Sequence, residues 1–175
     1  MADAGIENGC VLQVEAAQAG SAQLNPGAIY DRISQDLARV GIQLDIKLHP
    51  DWVTYCNQWR EGAPADISFS EMSWGMSCDL WLLQVLHGSN KSPYGFNAGY
   101  NNDSELDELL DRARKECVSS ERTTLYREAD ALIMERLPIL PLFTSRRGMI
   151  AYSQRLQGLT VINQCWQDFR HVRLK

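Results

Sequence analysis

One short run limits what this chain can fold into. From Ile42 to Leu48, apolar Ile42, Leu44, Ile46 and Leu48 alternate without a break with Gln43, Asp45 and Lys47. Successive side chains of an extended chain point to opposite faces, so the run specifies a strand with one buried face and one wet face. A helical pattern leads into it. Ile29, Ile33, Leu37 and Val40 recur at helical spacing, Arg32, Asp36 and Arg39 fall on the wetter side, and Gly41 supplies the stop. Beyond the strand, Pro50 lacks an N–H for a ladder and Asp51 is placed to cap a second helix, whose apolar stripe is Trp52, Tyr55, Cys56 and Trp59 and whose end is Gly62.

The rest of the chain fits around this unit. Val11 to Ala17 favours a strand, and Asn25-Pro26-Gly27 reads as a turn or a helix start. Asp66 to Ser73 reads as another strand, leading into Trp74, and Leu80 to Leu86 as a helix. A long loop rich in Gly, Asn, Ser and Tyr covers 88–102; loops of this length tend to be functional or mobile. Ser104 with Asp107 three residues on is a variant capping box for a helix with Leu106, Leu109, Leu110 and Ala113 inside. Ser119 or Ser120 caps the next helix, which Pro138 stops. Ile139 to Tyr152 reads as one or two strands, and Gly158 to Ile162 and Phe169 to Leu174 as short closing strands. Strands alternating with helices predict an α/β layered sheet with helices on both faces, and ligands on such sheets sit outside the carboxyl ends of the strands.

Composition removes several functions. The chain has 175 residues, enough for one domain with its own core, and a net charge of −5. Phosphate contacts need a clustered basic surface, and a pair such as Arg146-Arg147 is too short to make one, so no nucleic-acid partner is expected. No apolar run approaches the roughly 20 residues of a membrane span. Met1 to Gly5 shows neither a basic nor an apolar signal region, and residues 1–10 are expected to form a leader or linker ahead of a domain at 11–175. Cys10, Cys56, Cys78, Cys117 and Cys165 form no CxxC pair; they read as buried or incidental thiols, or as one disulfide in an oxidising compartment. His49, His87 and His171 make no HExxH, and no GxSxG, GxGxxG or P-loop occurs. Cys78 beside Asp79 has no neighbouring His or cation to activate a thiol. No catalytic residue, metal or cofactor is therefore expected.

Four segments carry a family resemblance. They are Leu37-Ala38-Arg39-Val40-Gly41-Ile42; Ala65-Asp66-Ile67 with Ser73-Trp74-Gly75; Asn97, Tyr100, Asn101 and Asn102 followed by Asp107-Glu108-Leu109-Leu110; and Arg122, Tyr126, Ala129, Ile133 and Glu135 followed by Pro138-Ile139-Leu140-Pro141-Leu142. In this order they resemble the extracellular solute-binding proteins of family 5, which serve peptide and nickel ABC transporters. The resemblance spans Val11 to Val161 and implies a periplasmic-binding-protein type II lobe, a layered mixed sheet with helices on both faces. It implies a C-terminal lobe only, whose facing N-terminal lobe lies outside this chain, with a peptide or small-molecule ligand, an ABC permease as partner of the parent protein, and a periplasmic or extracellular location. A second reading is a stand-alone interaction domain that reuses the lobe and self-associates through its exposed apolar jaw.

The ligand site implied by the resemblance is Trp74, Ser77, Cys78, Asp79, Tyr94, Phe96, Asn97 and Tyr100. Trp74 reads either as an aromatic platform or as a core residue covering the sheet end. Asp79 reads as a partner for a cationic group or as a helix cap. The loop residues read as ligand contacts or as pins for their own loop. One departure bears on the ligand. Many peptide-binding members carry an aspartate near the strand-end Trp that can pair with the ligand's amino terminus; here Ser77 stands at that position and no proline follows.

Overall fold

The computed structural model describes residues 6, 9–18, 25–62, 64–74, 78–143, 153–162 and 166–175. Its first half is β1 (Cys10–Ala17), α1 (Pro26–Ala38), β2 (Ile42–His49), α2 (Trp52–Glu61) and β3 (Phe69–Ser70). The strands form one parallel sheet in the order β2-β1-β3. Asn25 caps α1 by accepting the N–H of Ala28, and Pro26 occupies the first turn, where its missing N–H costs nothing. Gly41 takes a left-handed φ of 82° between α1 and β2. Asp51 caps α2, accepting the N–H of Thr54 at 2.8 Å.

The two helices lie on opposite faces of the sheet. Tyr30 of α1 packs with Val14 and Ala16 of β1 and with Leu44 and Ile46 of β2. On the other face, Gln58 of α2 donates to the carboxylate of Glu15. The strand order explains this. The crossover from β1 to β2 steps one way and the crossover from β2 to β3 steps back across β1; with right-handed connections the second helix must take the other face.

The second half is helical: α3 (Cys78–Leu86), a single 3-10 turn at Gly88–Asn90, α4 (Ser104–Lys115) and α5 (Ser119–Arg136). Leu82, Leu86, Leu106, Leu110, Ala129 and Ile133 meet in a core separate from that of the sheet. Two antiparallel ribbons follow, β4 (Leu156–Gln157) with β7 (Arg173–Leu174), and β5 (Thr160–Ile162) with β6 (Trp166–Asp168).

The α/β architecture with helices on both faces agrees with expectation, and several details differ. Parallel and antiparallel pairs do not mix in one sheet among the described residues. The strand predicted from Asp66 shrinks to Phe69–Ser70. Residues 139–143 take no regular structure, and 144–152 lie outside the described residues. Asp103, not Ser104, caps α4, accepting from Glu105 and Leu106; Asp107 instead accepts the N–H of Gly88 at 3.0 Å. Helix α5 begins at Ser119 with no side-chain cap and ends at Leu137, whose φ of 49° already turns the chain before Pro138.

Candidate ligand site at the carboxyl end of the sheet

All three strands run the same way, so their carboxyl ends open on one edge. The order reverses at β1, which places a crevice between the ends of β1 and β3, the position where open α/β sheets take ligands. Tyr55 of α2 fills the floor of this crevice and is fully buried. Its hydroxyl proton is shared between the carbonyls of Glu15 (3.1 Å) and Glu71, and the same oxygen accepts the indole N–H of Trp59 at 3.2 Å. One side chain thereby ties the end of β1 to the end of β3.

Polar groups cluster around this tie. Glu15 is 3% exposed; its carboxylate receives Lys47 at 2.8 Å and Gln58, and His49 Nε2 lies 3.4 Å away. Glu71, directly after β3, is 8% exposed, and burial pushes its carboxyl up to about 7. Tyr30 and Tyr55 both have their hydroxyl pKa raised, first by burial and also by the Glu71 charge. The site thus has a carboxyl group poised near neutrality, able to hold a proton or to face a cation.

Trp74 follows four residues after β3. Its ring meets Phe96 edge-on at 5.2 Å and 81°, and the guanidinium of Arg60 lies 5.1 Å from the other ring's centre. The Trp74 indole N–H is buried without a hydrogen-bond partner among the described residues. An apolar shelf with a cation beside it suits an apolar ligand group.

The expected site residues are only partly brought together. Trp74 and Phe96 touch each other. Tyr100 stands over the end of α2: a Cβ on Gly62, whose φ is 98°, would lie 2.5 Å from the Tyr100 hydroxyl. Tyr94 is 93% exposed at the loop tip. Asn97 is buried and serves its own loop, donating to the carbonyls of His87 and Asn101 and accepting the N–H of Asn101. Cys78 and Asp79 begin α3, and Ser77 lies outside the described residues. Glu15, His49, Tyr55, Arg60 and Glu71 were not anticipated. A polar side chain in an alternating strand reads as solvent-facing, and only the crossover of α2 shows that this face is covered.

Comparisons with known proteins address the fold. No family profile matches the chain. The dipeptide-binding protein of a Pseudoalteromonas species, solved with Met-Leu, superimposes with a TM-score of 0.74 at 21% identity, over 99% of this chain and 34% of that one. This is the fold of a periplasmic binding protein lobe. The ABC transporter-associated periplasmic binding protein DppA of Helicobacter pylori, solved with the peptide STSA, gives a TM-score of 0.60 at 22% identity over 78% of this chain and 26% of its own. Among curated proteins, Di/tripeptide-binding protein 2 of Pseudomonas aeruginosa is 27% identical over 150 residues, 86% of this chain. The chain spans 28% of that relative's length. These are solute-binding proteins of the class that the sequence motifs resemble.

Proposed function

We propose that this chain is a ligand-capture lobe of an ABC-transporter solute-binding protein, one jaw of a pair that closes on a peptide or similar small solute in the periplasm. The observation that carries the reading is the Trp74–Phe96 shelf with Arg60, set beside the β1/β3 crevice of a periplasmic-binding-protein fold. The facing lobe would supply the other half of the contacts, and closure would couple occupancy to docking on a permease. Trp74, Phe96 and Tyr100 are the ligand contacts on this side, with Ser77, Cys78 and Asp79 in the chain that follows Trp74. Ser77 brings no charge to a ligand's amino terminus, which favours solutes held by apolar groups and carbonyls over free dipeptides.

A half-site binds weakly. Dipeptides such as Met-Leu are expected to bind the 175-residue chain with a dissociation constant of about 1 mM or weaker. Calorimetry measures the affinity, and amide chemical shifts map the contact to Trp74, Phe96 and their neighbours. A tight stoichiometric complex refutes the half-site reading; shifts confined to another surface refute the location.

A further inference from the structure

Strand β2 lies at the edge of the sheet among the described residues, with eight residues and no partner on its outer side. Two hydrogen bonds fix which of its main-chain groups face inward. The Gly41 carbonyl accepts from Cys10 of β1 at 3.0 Å, and the His49 carbonyl accepts from Gln18 at 2.9 Å. Inward and outward residues alternate along a parallel strand, so the odd-numbered residues from Gly41 to His49 turn their N–H and C=O to β1. Ile42, Leu44, Ile46 and Leu48 therefore turn theirs outward.

We propose that this edge pairs antiparallel with β2 of a second copy of the chain, with Ile46 on the twofold axis. In that register Ile46 faces Ile46 and Leu44 faces Leu48 as hydrogen-bonded pairs, all from outward-facing residues, giving about six intermolecular main-chain bonds. Asp45 of each copy faces Lys47 of the other as non-hydrogen-bonded pairs, in which side chains approach more closely. Both side chains are exposed, and Lys47, 65% exposed although it contacts Glu15, has room to reach the second carboxylate. Charge also selects the register. A slip of one pair in either direction places Asp45 opposite Asp45 or Lys47 opposite Lys47, and like charges directly opposite are unfavourable. The apolar side chains of the pair extend the face covered by α1, and Leu48, 42% exposed in one copy, gains cover. A twofold strand pair is self-complementary and closes after two copies. It leaves the crevice between β1 and β3 open, so it stands or falls apart from solute binding.

Sedimentation of the 175-residue chain tests the proposal. A concentration-dependent dimer is expected below about 1 mM. Asp45→Lys sets two lysines opposite each other twice, and is expected to weaken the dimer at least about tenfold. Asp31→Lys makes the same change of charge on the exposed surface of α1 and is expected to leave the dimer intact. Ile46→Pro removes an outward N–H without removing a bond to β1, and gives a second readout if Asp45→Lys fails to fold by circular dichroism. A chain that stays monomeric to about 1 mM overturns the proposal, as does a dimer that a folded Asp45→Lys or Ile46→Pro variant does not weaken.

Discussion

Glu71 shows how one buried carboxyl sets a pH dependence. Its folded pKa is raised by burial from an ordinary 4.5 to about 7. The folded protein holds that proton more tightly than the unfolded chain does. This contribution to stability is therefore greatest below the unfolded value, falls as pH rises from about 4.5 to about 7, and is constant above. Glu71→Gln is expected to flatten that stretch, leaving the variant more stable than the parent at pH 8 by on the order of 1–3 kcal/mol. Denaturant titrations at pH 5 and pH 8 measure the difference; parallel profiles for the two proteins would remove Glu71 as the cause. Tyr55 acts on the same spot through its hydroxyl. Tyr55→Phe takes a donor from the carbonyls of Glu15 and Glu71 and an acceptor from Trp59, a cost of about 1–3 kcal/mol in thermal unfolding. Neither role was legible in the sequence, where Tyr55 reads as one member of a helical apolar stripe. Its partners are 40 and 16 residues away, and no local pattern encodes such a meeting.

Among the elements, the helices repay attention at their ends. Asp103 caps α4 and also receives the guanidinium of Arg136 from the last turn of α5, so one carboxylate fastens the start of one helix to the end of the next. The Arg136 hydrogen bond, with the cap bonds adding to it, holds its carboxyl below the usual range. Asp103→Ala is expected to lower the unfolding free energy by about 1–2 kcal/mol, visible as a lower melting temperature, while Ser104→Ala, at an exposed position that makes no cap, changes it little. In the sequence Ser104 reads as the cap, because Asp107 three residues on has the look of a capping-box partner. Long periodic elements were legible: α1, β2, α2 and α4 lie where their repeats put them. The phase of β2 failed only at its end, where Leu48 is exposed and His49 is buried, because α2 covers the second face there. Short strands were the hardest to read. In β3 two residues suffice to complete the sheet, too few to leave a period.

At the scale of the whole molecule, the alternation of strand and helix predicted the architecture, and the motif order predicted its kind. The candidate site was half legible. Trp74 and Phe96 announced themselves as aromatics at a strand end and in a long loop, whereas Arg60 and the buried carboxylates required the fold. The two halves also keep separate interiors: Val14, Ala16 and Tyr30 in one, the leucines of α3 and α4 with Ile133 of α5 in the other. Helix α2 bridges them, Tyr55 reaching the sheet while Trp59 packs against the helices and its carbonyl accepts the hydroxyl of Ser92, and Trp74, just beyond β3, packs against the helical interior as well. A protein divided this way has two cooperative units and a seam. Amide exchange is expected to sort accordingly, the α4 and α5 amides opening together at one free energy and the β1 and β2 amides at another, with the wall that carries the aromatic shelf free to yield before the sheet does.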